Sequence, residues 1–320
     1  MNNINVSDIL KATGGKLIQG DSGLPINGIS TDTRSIKHGE IFFALEGKNY
    51  DGHKFVEQAI HNGAVGAVIS SGKKSAYSFH NGFKKCALLE VADTLRALGD
   101  LAKFYRNSLP TSFIAVTGSN GKTTTKDMAY HVLGNFKSVS RSRKSFNNFI
   151  GVPLTIFETE VTHDFCIVEM GTNAPGEIKR LSEIIFPDYT ILTNISHAHL
   201  EGLGSIEGVA SAKSEFIENM AEDGTLITNA DDDWCNQIAD RFNGKVISFG
   251  FNQSADIKAS NVKRNDSGFV FTVNDSFTVN LPVFGRHNIY NALAVIAMCD
   301  AIGVGIEVIC DKFMDFKLPP

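Results

Sequence analysis

The feature that most constrains this chain is the stretch Ser112 to Asn135. There the apolar run Phe113-Ile114-Ala115-Val116 enters Thr117-Gly118-Ser119-Asn120-Gly121-Lys122-Thr123-Thr124-Thr125 and leaves as a helical pattern. Met128, Val132, Leu133 and Phe136 fall at i, i+4, i+5 and i+8, an apolar stripe of helical period that packs back on a sheet. The stretch predicts a strand, a phosphate-binding loop and a helix that starts at the loop. Backbone N–H groups at such a helix end lack partners and carry partial positive charge, so the fold itself supplies amides for a polyphosphate. The candidate nucleotide contacts are Gly118, Ser119, Asn120, Gly121, Lys122, Thr123 and Thr124. The glycines permit close approach, Lys122 reaches the β- and γ-phosphates as a point charge, and the Thr123 hydroxyl can ligate a bridging magnesium ion. The spacing departs from G-x-x-x-x-G-K-[ST], because Val116 stands where that pattern has its first glycine. The alternative is a strand-to-helix turn with a solvated lysine.

At 320 residues with 42% hydrophobic content, the chain can bury at least two cores, and two domains are expected. A formal net charge of −5 with dispersed Lys and Arg argues against a nucleic-acid surface. Cys86, Cys166, Cys235, Cys299 and Cys310 form no C-x-x-C pair, so neither a zinc site nor a disulfide framework is indicated, and the reducing cytoplasm is the expected compartment. The N-terminus lacks the regions of a signal peptide and no apolar run reaches the length of a membrane span, so no membrane insertion is expected.

Residues 1–91 read as alternating short strands and helices, with a buried strand at Ile41–Leu45, a helix over Phe55–Ile60 and a strand at Ala64–Ile69. Ser30-Thr31-Asp32-Thr33-Arg34 lies in this part; Arg34 suits either a surface ion pair or an anionic ligand. A helix from Asp93 to Tyr105 leads to Pro110 and the loop strand. Beyond the loop helix, Arg141-Ser142-Arg143-Lys144-Ser145-Phe146-Asn147-Asn148 is a basic, amide-rich loop that fits an anionic ligand or a solvated turn. Phe165–Glu169 is a buried strand ending on a carboxylate; at the carboxyl end of a parallel strand, Glu169 faces either magnesium and water or plain solvent. A helix at Gly176–Ile185 and a strand at Tyr189–Ile195 repeat the unit, and the strand empties into Ser196-His197-Ala198-His199, where His199 is a candidate metal ligand or a structural residue. Residues 207–220 form a helix whose Lys213, by spacing alone, is an ordinary solvated lysine. Strands at Thr225–Thr228 and Lys245–Phe249 follow, then antiparallel hairpins over 257–283. The last helix begins near Gly285, and its Asn288 and Asn291 either read a base edge together or cap the helix.

The loop TGSNGKTTTK, VEMG with GEI, NISHAHLEGLGS, VASAKSEF, NADDDW and GRHNIYNALA, in this order along nearly the whole chain, resemble the Mur ligase family of ATP-dependent amide-bond-forming enzymes. SFNNFIGVPLTIF and MGTNAPGEI are most similar to the branch joining D-alanyl-D-alanine to UDP-N-acetylmuramoyl-tripeptide; the branch adding the third amino acid is the alternative. TDTRS, GEIFFAL and YDGHKF are similar to the uridine-nucleotide domain that both share. The resemblance implies an α/β architecture: a UDP-muramoyl-binding domain at 1–91 and a central ATP-binding domain at 92–315, with a P-loop-type, mostly parallel sheet and an antiparallel β extension. It implies an acyl-phosphate mechanism in peptidoglycan precursor synthesis, with ATP and two magnesium ions, and with Lys122 and Thr123 on the nucleotide. Glu169 would serve the first metal, and His199 and a carbamylated Lys213 the second. Asn288, Asn291 and Asp231 would lie at the nucleotide, and Ser30, Thr31, Arg34 and Asn148 along the UDP-muramoyl substrate. The family also carries a third domain of about 100–150 residues. Residues 316–320 are the expected start of a linker to it, so these 320 residues are expected to bind their nucleotides yet turn over poorly. A precursor-binding module that cannot complete the reaction is a second reading, and a generic P-loop phosphotransferase a third.

Overall fold

In a computed structural model, residues 4–47, 49–73 and 85–318 are described, so Pro319 and Pro320 of the expected linker lie outside them. The chain divides into two compact units, residues 1–109 with 156–160, and residues 110–155 with 161–320.

The first unit runs β1 (Ile4–Asn5), α1 (Val6–Thr13), β2 (Lys16–Gln19), β3 (Pro25–Ile26), β4 (Gly28–Ser30), β5 (Glu40–Phe43), β6 (Glu46–Gly47), β7 (Tyr50–Asp51), α2 (Val56–His61), β8 (Gly66–Ser70), β9 (Ala87–Val91) and α3 (Thr94–Arg106). Its five-stranded sheet has the order β2-β9-β8-β5-β4, parallel except for β2, with Phe42, Ala67, Ile69 and Leu88 buried against Val56 and Ala59 of α2. Helix α1 opens with a capping box: Asn5 accepts from the Asp8 N–H, and the Asp8 carboxylate accepts from the Asn5 N–H. Buried His53 lies 2.6 Å from Asp51 through Nδ1 and accepts the Ser70 N–H at Nε2, which ties the β6–β7 hairpin to the end of β8. Helix α3 differs from the expected division at residue 92. Its apolar face (Ala97, Leu98, Leu101, Ala102, Tyr105) is buried in the first unit, against α1 and with the Tyr105 hydroxyl donating to the Thr159 carbonyl at 3.0 Å.

The second unit runs β10 (Ser112–Thr117), α4 (Lys122–Leu133), β11 (Val139–Arg141), α5 (Gly151–Glu158, whose last turn belongs to the first unit), β12 (Phe165–Glu169), α6 (Glu177–Ile185), β13 (Tyr189–Leu192), α7 (Leu200–Leu203), α8 (Ile206–Ser214), β14 (Thr225–Asn229), α9 (Asp233–Ala239), β15 (Lys245–Gly250), β16 (Ile257–Arg264), β17 (Phe269–Val273), β18 (Phe277–Leu281), α10 (His287–Ala301) and α11 (Ile306–Cys310). Its nine-stranded sheet has the order β11-β12-β10-β13-β14-β15-β16-β17-β18, parallel as far as β16 and antiparallel beyond. The chain leaves central β10 for edge strand β11, returns through β12 and crosses to β13, so the reversal of direction falls at the carboxyl end of β10, where an open α/β sheet places its ligand. Helix α10 is apolar on every side and correspondingly enclosed, with Ile289, Leu293, Val295 and Ile296 fully buried between α4 and the sheet.

Two expected elements end early, each for a local reason. Strand β13 stops at Leu192 and not at Ile195, because residues 193–196 turn to bond the phosphate loop. The helix expected over 207–220 is α-helical only to Ser214. From Glu215 it tightens into a 3₁₀ turn, as the Glu215 carboxylate accepts from the Gly176 and Lys179 N–H groups at the start of α6.

Candidate nucleotide and metal site

The phosphate loop joins the end of β10 to α4, and its glycines are required by the chain itself. Gly118 has φ 137°, and a Cβ there would lie 2.0 Å from Thr193 Oγ1; Gly121 has φ 82°, and its Cβ would lie 2.5 Å from Asn291 Oδ1. Ser119 and Asn120 are turned toward 193–196. The Ser119 N–H donates to the Asn194 carbonyl, the Asn120 N–H to Asn194 Oδ1, and both side chains bond Ser196. Among the described residues, the loop amides left without a partner are therefore those of Gly118 and, together at the start of α4, of Gly121, Lys122, Thr123 and Thr124. That is the donor cluster a polyphosphate meets at a helix N-terminus.

Lys122 Nζ donates to the Gly118 and Ser119 carbonyls at 2.9 and 3.1 Å, and burial lowers its pKa against the opposing pull of Glu169. Thr123 Oγ1 donates to Glu169 Oε2 at 2.8 Å, and Asn147 Nδ2 donates to Glu169 Oε1 at 2.8 Å. Glu169 is 1% exposed, so the structure decides against the solvent-facing alternative. A hydroxyl and a carboxylate oxygen side by side beneath free phosphate-facing amides suit a hard cation such as magnesium. Lys213 reverses the expectation drawn from spacing. On α8 it is 0% exposed, its Nζ has no hydrogen-bond partner among the described residues, and burial, followed by the charge of Lys122, lowers its pKa to about 7.

His199 is exposed at the start of α7 in a left-handed conformation, φ 55°, and with Lys122, Asn147, Asn148 and Phe149 it lines a cleft of about 190 Å³. Asn148 Oδ1 accepts from the Ile150 and Gly151 N–H groups, so this oxygen starts α5. Asn288 and Asn291 do not cap α10, whose N-terminus has no side-chain cap. Both are buried, with Asn288 Nδ2 on the Phe284 carbonyl and Asn291 Nδ2 on Asn288 Oδ1, which leaves Asn291 Oδ1 against Gly121. The Asp231 carboxylate accepts from the Phe251 and Asn252 N–H groups and from the Tyr290 hydroxyl, and so it holds an aromatic pair in place: the Phe251 and Tyr290 rings stand 5.0 Å apart.

In the first unit, Ser30 and Thr31 sit at the carboxyl end of β4, on the sheet edge. Ser30 Oγ donates to the Asp32 carbonyl, and exposed Arg34 makes a two-pronged pair with Asp32, whose carboxyl is held down to about 2 by that guanidinium. Sequence reasoning missed Lys126, which is 1% exposed and 3.9 Å from Glu169 Oε2, and Asn194, which locks the loop. The available signal for Lys126 was its place one turn after Lys122, beside Asp127; Asn194 left none beyond following an apolar strand.

A strand–loop–helix with free amides at the turn of a mostly parallel sheet defines a P-loop-type α/β fold, and the family follows from comparison. The Mur ligase middle domain matches residues 116–299, and the model described as the Mur ligase family catalytic domain matches residues 25–106. The chain belongs to the Mur ligase family. It is 39% identical over 283 residues to UDP-N-acetylmuramoyl-tripeptide:D-alanyl-D-alanine ligase of Bacillus subtilis, covering 88% of this chain and 60% of that protein. MurF from Acinetobacter baumannii superposes with a TM-score of 0.89 at 30% identity, over 98% of this chain and 68% of that one. MurF from Thermotoga maritima, solved in complex with ADP, gives 0.80 at 26%, over 93% and 67%. The expected α/β architecture with its antiparallel extension is the one these relatives share. Among the described residues no helix is long and apolar enough to cross a membrane.

Proposed function

We propose that this chain binds ATP with magnesium at the 121–124 amides and UDP-N-acetylmuramoyl-tripeptide through Ser30, Thr31, Arg34 and Asn148, and serves the ligation of that peptide to D-alanyl-D-alanine. The observation that carries the reading is Lys213. A fully enclosed amine with no partner and a pKa lowered to about 7 is largely uncharged just above neutrality, the state that reacts with dissolved CO₂. The resulting carbamate turns a cation into an anionic oxygen ligand, which answers both the missing hydrogen bond and the neighbouring charge of Lys122.

In this reading Thr123 and Glu169 would hold one magnesium ion, and His199 with a carbamylated Lys213 would hold the second. Bound there, magnesium would neutralise charge building on the transferring phosphoryl group. The free amides of α4 orient the phosphates, and the half-buried Lys122 directs its charge to the γ-phosphate. The peptide carboxylate is thereby brought to the phosphoryl group and attacks the γ-phosphorus, the bond to the β–γ bridging oxygen breaks and ADP leaves, which gives an acyl phosphate. The amine of D-alanyl-D-alanine then displaces phosphate. The named activity of the Bacillus subtilis relative supports this choice of substrates. Calorimetric titration tests the nucleotide half: wild type binds MgATP, and Lys122→Ala, which keeps the fold, weakens it by at least tenfold. Equal affinity in the two proteins would remove the assignment.

A further inference from the structure

Lys126 lies one turn beyond Lys122 in α4 and has no part in the reading above. Its Nζ donates to the Lys144 carbonyl, stands 3.6 Å from Asp127 Oδ1 and 3.9 Å from Glu169 Oε2, and is withdrawn from solvent. A buried ammonium is tolerated only where hydrogen bonds and opposite charges replace its hydration. Here those partners come from three segments: α4 itself, the end of β12, and the loop 142–149.

That loop is an ordered part of the site. Lys144 sits in the left-handed region, φ 48°, a conformation unusual for lysine, and its carbonyl is the one Lys126 meets. Three residues on, Asn147 donates to Glu169 Oε1 while its carbonyl accepts from the Gly171 N–H. Asn148 then starts α5 and, with Phe149, faces the cleft beside Lys122. The loop's other end is anchored one residue along the same helix, where Arg141 pairs with Asp127 at 2.5 Å. The two oxygens of Glu169 thus meet Thr123 and Lys126 on one side and Asn147 on the other.

We propose that Lys126 is a positioning residue that fixes the amide-rich loop to the phosphate helix, so that one buried amine sets both the aim of Glu169 and the cleft wall formed by Asn147 and Asn148. The inference rests on Glu169 facing a metal ion, and goes beyond it by naming what holds that carboxylate and couples it to the cleft. Without the amine, the Lys144 carbonyl and Glu169 lose a shared cation, and the middle of the loop between Ser142 and Asn147 loses its tie to the phosphate helix.

The test compares ATP affinity with Mg²⁺ and with EDTA in wild type, Lys126→Met and Lys126→Gln. The methionine variant is expected to lose about tenfold in MgATP affinity, the worth of one charge-assisted hydrogen bond, with metal-free ATP changed less than twofold. Glutamine, which can still donate to the Lys144 carbonyl, recovers part of that loss, and it carries the comparison should the methionine variant not fold. Asn147→Ala shows the same metal-selective loss, and the double variant loses no more than the larger single one. Equal losses with and without metal, or additive losses, would show that Lys126 only supports the fold. A wild type that binds ATP equally with and without Mg²⁺ would sink the metal reading of Glu169, and the Lys126 assignment with it.

Discussion

Replacing Lys213 by methionine should stabilise the second unit at neutral pH, by an amount that shrinks as pH rises. The unfolded chain titrates this lysine near 10.5 and the folded chain at about 7. Between those values the unfolded state binds the extra proton, so wild-type stability rises with pH across the window and is at its minimum below about 7. At about 1.4 kcal/mol per pH unit the full interval corresponds to roughly 5 kcal/mol, a ceiling that local relaxation reduces. The side chain is 0% exposed, so solvent screening takes little from it. Methionine fills a similar volume and carries no such penalty. Urea denaturation followed by Trp234, the single tryptophan and a residue of the second unit, gives the comparison in CO₂-free buffer, since a carbamate would remove the titration. With m of about 2–3 kcal/mol/M, the variant's midpoint should exceed wild type by about 1–2 M at pH 7, and the gap should shrink to a small fraction of that above pH 10.5. Other groups titrating in that range are common to both proteins and cancel. A midpoint difference independent of pH would refute the reasoning, because it would mean that Lys213 enters the fold no less charged than in water.

In a longer version that also carries the family's third domain, assayed for ligation with MgATP, UDP-N-acetylmuramoyl-tripeptide and D-alanyl-D-alanine, Lys213→Ala is expected to slow turnover by about 10–100-fold, the usual cost of disturbing a metal's surroundings. Formate or acetate should restore part of the rate by replacing the carbamate oxygens, and unchanged turnover would refute the role. Gly121→Ala combines a φ of 82° with a Cβ placed 2.5 Å from Asn291 Oδ1, so it should cost at least about 1 kcal/mol in stability and weaken MgATP binding as the loop shifts. Urea midpoints and calorimetry on the same protein check both effects.

The strand–loop–helix at 112–133 and the antiparallel strands over 257–281 were legible because each rests on local periodicity or on glycines at fixed offsets, whereas the mostly parallel central sheet followed from the family resemblance. The site was legible only as a set of candidates. Lys213 looked solvated because helical spacing does not reveal what covers a face, and only the packed unit shows its amine enclosed. Ser119 and Asn120 looked like phosphate contacts because the motif gives their order along the loop but not the partner across from it, the segment 193–196, some 75 residues away in the chain. Asn288 and Asn291 read equally as caps or ligands for the same reason: their bonds depend on Phe284 turning back on the helix and on Gly121 arriving from another element. The helix at 94–106 clusters with the first unit and not with the part expected to begin at residue 92, which was not legible because its amphipathic pattern names a buried face without naming the core that buries it.

The central claim, that ATP is held by the first turn of α4 and not by the whole loop, is tested most directly by the backbone amide spectrum of the ¹⁵N-labelled chain titrated with MgATP. The amides of Gly121, Lys122, Thr123 and Thr124 should show the largest shifts and saturate together, with Ser119 and Asn120, already bonded to Asn194, moving far less. Saturable binding that leaves residues 121–124 in place would contradict it.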